Sequence, residues 1–258
     1  NIIFGSTYFR LENYKKSIQY FIKAKEIDPQ NVNTHSDLGS AYLILGMYEK
    51  AENSFNKAIE IDKNFYEAYF NLGKINSILK KYDDALMNFE KSLELYPDYK
   101  DAILEIAKIS YERDSLHKAL IYFEKYLNLD PKSIDTIISI SQILYQIGEY
   151  NIAFKYLDEG FKINPKCGKL IDLYASGMRT FGKNELSINF FKKSLKYDSS
   201  NLFSLINLFY LSGYNEKLKK QKFLNKFSKL NNSITHSENK NYSNSNKKIV
   251  CLLGLGRS

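Results

Sequence analysis

Two cysteines, three histidines and four prolines are few for a chain of 258 residues, and each scarcity closes off a class of protein. Cys167 and Cys251 lie far apart, which indicates neither a disulfide framework nor a cysteine-based metal site. A reducing cytoplasm is therefore the expected compartment. His35, His117 and His236 stand alone, without the helix-spaced His, Cys or carboxylate partners that bind a metal. No apolar run approaches the ~20 residues that span a bilayer, and no secretory signal is visible. The chain starts at Asn1 inside a helical pattern, without an initiator Met, so the expectation is a fragment of a longer protein with both ends missing.

Charge is unevenly placed. The whole chain carries a formal +8. Residues 214–258 hold ten Lys or Arg against Glu216 and Glu238, an excess that accounts for all of it and leaves the preceding residues neutral. A basic amphipathic segment can meet nucleic acid or an anionic membrane. A solvated lysine face accounts for the same residues, so charge does not choose a partner. Residues 231–246 are mostly Asn, Ser and Lys with almost nothing apolar, a composition too polar to offset the entropy of ordering it.

The prolines that do occur share one phase. Pro97, Pro131 and Pro165 follow one another at 34 residues, and Pro29 precedes them by twice that interval. Gly5, Gly39, Gly73, Ala107, Ser141 and Ala175 keep the same beat, as do Ser17, Ala51, Ala85, Ala119, Ala153 and Ser187. Four residues after each of the latter stands a bulky one: Phe21, Phe55, Phe89, Phe123, Leu157 and Phe191. A fixed period of this length predicts stacked repeats. Each unit reads as two antiparallel helices, from about Thr34 to Gly46 and from about Glu49 to Ile61 in the second. Gly39 and Ala51 belong at the crossing, where a larger side chain would force the backbones beyond the usual 8–10 Å. Gly46 suits the turn, and Asp-Pro or Asn-Pro pairs are expected to stop the second helix.

These columns resemble the tetratricopeptide repeat. Its L-G-x-x-Y and A-x-x-x-F pattern stands here as Leu38-Gly39, Tyr42, Ala51 and Phe55, with Leu72-Gly73, Ala85, Phe89 and Pro97 in the next unit. The resemblance covers about residues 1–213 and implies an all-α, right-handed superhelical solenoid of about six and a half repeats. The sixth unit is looser, with Asn184 and Ser187. A seventh begins at Leu202 with Phe209 in the small-residue column. The expected organisation is an array with a capping helix over 1–230, a linker over 231–246 and the opening of another domain over 247–258.

No catalytic constellation is present in the array. Asp83 and Asp84 are adjacent on a helix and point apart, as solvated acids do. The family resemblance implies instead that the second, fifth, ninth, twelfth and thirteenth positions of each unit line a concave groove for a peptide or protein. Here these include Phe70, Lys74, Tyr111, Tyr145, Gln146, Arg179 and Thr180. Aromatics among polar side chains can anchor a segment, with Lys74 and Arg179 supplying charge-assisted bonds. Ser6, Ser36 and Ser40 replace the Lys and Asn of the carboxylate clamp found in chaperone-tail binders. The sixth positions read Asp37, Asn71, Glu105, Ser139, Leu173 and Asn207, which is not the asparagine ladder of O-linked N-acetylglucosamine transferases.

The end of the chain departs from this pattern. Lys247–Leu253 is a short β-branched apolar run followed by Gly254-Leu255-Gly256-Arg257-Ser258. A strand leading into a Gly-rich turn can present backbone N–H groups to phosphate. The run resembles the opening of a sulfotransferase, with Gly254, Arg257 and Ser258 matching its phosphate loop and Gly256 in place of a proline. That resemblance implies PAPS as cofactor of a longer protein, bound by Gly254, Gly256, Arg257 and Ser258, and an inactive fragment here. A dinucleotide-type G-x-G turn and an ordinary strand with a turn stay open, as do a free-standing adaptor and another transferase or ligase behind the same scaffold.

Overall fold

The computed structural model describes residues 1–211, and every regular element among them is an α-helix. Residues 1–156 form one compact unit and the described residues from 157 to 211 belong to a second. The first contains α1 (Ile2–Arg10), α2 (Tyr14–Ile27), α3 (Val32–Ile44), α4 (Tyr48–Ile61), α5 (Tyr66–Ile78), α6 (Tyr82–Leu95), α7 (Lys100–Glu112), α8 (Leu116–Leu129), α9 (Ile134–Gln146) and the first half of α10 (Tyr150–Ile163). The second contains the remainder of α10, α11 (Gly168–Thr180), α12 (Asn184–Tyr197) and α13 (Leu202–Leu211). Six A/B helix pairs and one further A helix thus match the six and a half repeats expected. The expected capping helix, the linker over 231–246 and the α/β opening over 247–258 lie outside the described residues.

The helices begin and end where local chemistry dictates. Asn31 accepts the Thr34 N–H at 2.9 Å, which starts α3 two residues before the sequence expectation. Its end is set by a Schellman turn: the Gly46 N–H donates to Leu43 C=O (3.0 Å) and the Met47 N–H to Tyr42 C=O (2.9 Å). Gly46 has φ +71°, as expected for that turn. The same backbone conformation recurs at whole periods from it, at Glu12 (φ 56°), Lys80 (φ 59°) and Asp114 (φ 58°), where no glycine signals it. A side chain in this left-handed region costs roughly 1–2 kcal/mol. Lys80→Gly is therefore expected to stabilise the protein by about 0.5–1 kcal/mol, net of the added freedom of the unfolded chain. A raised urea midpoint at unchanged m would bear this out, and a lowered one would refute it.

Proline proves to be one of two stops for the B helices. Asp28, Asp62 and Asp198 leave α2, α4 and α12 with nearly the same φ (−132°, −133° and −133°), although only Asp28 precedes a proline. At all three the carboxylate accepts the N–H two residues on, from Gln30 (3.2 Å), Asn64 (2.9 Å) and Ser200 (2.9 Å), and at Asp62 and Asp198 it does so unaided. That local turn ends the helix without a proline. The Ser200 hydroxyl and N–H hold the Asp198 carboxyl below the usual carboxylate value.

At the crossings the small column faces the bulky one. A Cβ built on Gly5, Gly39 or Gly73 would lie 2.5, 2.8 or 2.6 Å from the ring of Phe21, Phe55 or Phe89. At these three crossings the contact is therefore too close even for a Cβ, although Ala107 and Ala175 stand at the same phase in other repeats. Where serine replaces alanine on the B helix it is satisfied across the crossing: Ser17 donates to Gly5 C=O (2.9 Å) and Ser187 to Ala175 C=O (2.8 Å). The sixth repeat, looser in sequence, thus keeps its crossing through Ser187. Each phenylalanine also sits between repeats; Phe89 shares a cluster with Phe70 of α5 and with Ile103, Ile106 and Ile109 of α7.

Outside that core, side chains of the B helices and their connections reach between repeats. Arg113 pairs with Asp83, which is therefore an ion-pair partner and not merely solvated. Lys118 meets Glu90 at 2.7 Å and Lys125 donates to Pro97 C=O at 2.7 Å. Tyr156 donates to Glu124 at 2.8 Å, and burial with this bond pushes its phenol up to about 12.

Candidate functional site

Helix stacking in residues 1–156 determines which surface is available to a ligand. Neighbouring A helices approach one another directly, α1 against α3 and α3 against α5, while each also packs on the B helices beside it. Helical periodicity then places positions 2, 5, 6, 9, 12 and 13 of each A helix along one stripe. Repetition at 34 residues sets these stripes side by side.

The expected groove residues divide into three groups. Tyr111 and Gln146 are brought together, with Gln146 Nε2 donating to Tyr111 Oη at 3.1 Å and so joining the fourth and fifth repeats. Tyr145, half-buried, stacks near Tyr150 (5.6 Å) and Phe154 (6.1 Å). Phe70 is only 8% exposed and belongs to the core, against Phe89 at 5.5 Å and Tyr99 at 4.9 Å. It supports the surface by carrying the exposed Lys74, whose ammonium lies 5.6 Å from its ring centroid. Arg179 and Thr180 belong to the second unit. Arg179 there donates to Asn207 Oδ1 (2.5 Å), and Thr180 Oγ1 donates to Ser176 C=O (3.1 Å). Gly254, Gly256, Arg257 and Ser258 lie outside the described residues.

Sequence reasoning passed over the acidic side chains on the same stripe. Position 2 is Glu67, Asp101 and Asp135 in the third to fifth repeats, and position 6 is Asp37 and Glu105 in the second and fourth. Asp37 is partly buried without an ion-pair or hydrogen-bond partner among the described residues, and burial pushes its carboxyl up. Glu105 is held by Lys108 at 2.8 Å. At the intervening position-6 sites the donors are turned inward, Asn71 Nδ2 to Glu67 C=O and Ser139 Oγ to Asp135 C=O. Asn71 keeps Oδ1 and a second N–H, and Ser139 its oxygen lone pairs, as the remaining polar capacity. The period-34 alignment carries this signal in its position-2 and position-6 columns.

His35 is 5% exposed, with its Nε2 2.9 Å from Pro29 C=O, so it packs the corner between repeats. In the second unit Asp172 is buried and accepts from Asn201 Nδ2 (2.6 Å) and Ser204 Oγ (2.5 Å), a satisfied structural network. No group of three His, Cys, Asp or Glu among the described residues could hold a metal, and no described helix is long and apolar enough to cross a membrane.

Comparison with known proteins agrees with this architecture. Residues 3–64 and 66–99 each match tetratricopeptide-repeat models. No curated protein matches the chain. Among solved structures, YrrB, described as a tetratricopeptide-repeat protein with an unusual peptide-binding site, is similar at TM-score 0.64 and 17% identity, over 72% of this chain and 95% of that one. MamA gives 0.57 at 25% identity, over 64% and 96%. The C-terminal part of a repeat-containing protein from Cytophaga hutchinsonii gives 0.75 at 14% identity, over 89% and 95%.

Proposed function

We propose that this tetratricopeptide-repeat protein is a binding scaffold that holds a peptide segment of a partner across the A-helix face of residues 1–156. The observation that carries the reading is the junction of Tyr111 and Gln146, where two repeats present an aromatic and an amide side by side on a surface without a catalytic constellation. Lys74, fixed over Phe70, adds a charged donor one repeat away. The likeness to YrrB supports the same use of the fold.

Selection from a random peptide library tests this directly. Peptides recovered on the full chain should lose at least about tenfold in affinity on Tyr111→Ala, consistent with loss of an aromatic anchor of about 1.4 kcal/mol or more. Far-UV circular dichroism should stay unchanged, since Tyr111 is half-exposed. Selected peptides that bind Tyr111→Ala and Lys74→Ala as well as the parent chain would place the site elsewhere.

A second reading concerns residues 247–258, whose sequence alone favours it. Gly254, Gly256, Arg257 and Ser258 would hold the phosphates of PAPS in a sulfotransferase of which this chain is the N-terminal part. The coding sequence beyond Ser258 and PAPS binding by its product decide between that and an adaptor.

A further inference from the structure

We propose that the A-helix face of residues 1–156 takes an amphipathic segment of a partner protein, with Lys or Arg along one side and apolar residues along the other. The inference rests on the scaffold reading and names the class of segment it accepts. Each A helix runs in the same direction, so the N-terminal positions of the stripe form one band across the stack and the C-terminal positions another.

The C-terminal band is apolar in the second and third repeats. Its apolar part is Ile44 and Ile78, at position 13 of the second and third repeats and 50% and 51% exposed; the half-buried Tyr111 and Tyr145 continue it at position 12, beside Glu112 and Gln146 at position 13. The N-terminal band is anionic. Among the described residues, Asp37, Glu67, Asp101 and Asp135 have no ion pair, and desolvation of Asp37 favours a cation arriving beside it. The lysines between the bands already have partners, Lys108 on Glu105 and Lys74 on Phe70. At 1.5 Å per residue the bands are roughly 13 Å apart, about the diameter of one helix. A helical segment lying across the A helices touches both, basic side toward the carboxylates and apolar side toward Ile44 and Ile78. Apolar contact supplies affinity, and the charge asymmetry fixes which way round the segment lies.

The test uses the full chain and three labelled synthetic peptides, read by fluorescence anisotropy. One has Lys on one helical face and Leu on the other, the second has Glu for Lys, and the third has Ser for Leu. The Lys/Leu peptide is expected to bind best, and more weakly in high salt. Asp101→Lys with Asp135→Lys, both exposed, should weaken it about tenfold and improve the Glu/Leu peptide. Ile44→Ser with Ile78→Ser should weaken both Leu peptides.

Tighter binding of the Glu/Leu or Lys/Ser peptide would overturn the proposal. So would Lys/Leu binding that ignores both double variants. If the Glu/Leu peptide wins but depends on Tyr111, the scaffold reading stands and only the segment class falls. If no peptide depends on Tyr111, Ile44 or Asp101, both fall. Unchanged circular dichroism in each variant excludes unfolding as the cause.

Discussion

Phe89→Ala is expected to destabilise the array by about 3–5 kcal/mol, as removal of a fully buried aromatic ring does. The ring is 0% exposed and fills the space between α5, α6 and α7, so its loss opens a cavity shared by two repeats. Because repeats are stabilised by their neighbours, the effect should be concentrated locally. Native-state hydrogen exchange should show lost protection in α5, α6 and α7, with smaller change in α1 and α2. Uniform loss across residues 1–156 would mean that this unit behaves as one cooperative block, contrary to the expectation.

Gly73→Val should cost about 3 kcal/mol by the opposite route, overpacking. The ideal Cβ position at Gly73 lies 2.6 Å from Cε1 of Phe89, and the ring cannot retreat without disturbing the α7 residues behind it. The two positions should be coupled. Gly73→Ala is expected to be destabilising alone and less so on a Phe89→Leu background, because the smaller side chain returns the space. Urea denaturation of the four proteins gives the coupling, and additive effects would show that Gly73 and Phe89 do not share the crossing in solution.

Much of this fold was legible because its signal is periodic. A small residue at one phase and a phenylalanine sixteen positions later can meet only if two helices cross there, so Gly73 and Phe89 fix a hairpin from sequence alone. Less was legible at the turns. Gly46 announces its left-handed backbone, whereas Glu12, Lys80 and Asp114 adopt it because the surrounding hairpin imposes the geometry. The proline signal was similarly incomplete, since Asp62 and Asp198 end their helices through a carboxylate instead.

The candidate site was legible as a set of positions but not as a set of environments. Phe70 and Tyr111 occupy the same predicted stripe, yet Phe70 is buried under the next repeat and Tyr111 bonds to Gln146. Burial depends on what packs opposite, here Phe89 of the same repeat and Tyr99 at the start of the next, and no local pattern records that. The sequence by itself determined the repeat length, the helix pairing and the crossings, because those follow from spacing along one chain. Only the tertiary structure decided which stripe residues remain open and which carboxylates remain without an ion pair, because exposure and charge pairing are settled between helices rather than along them.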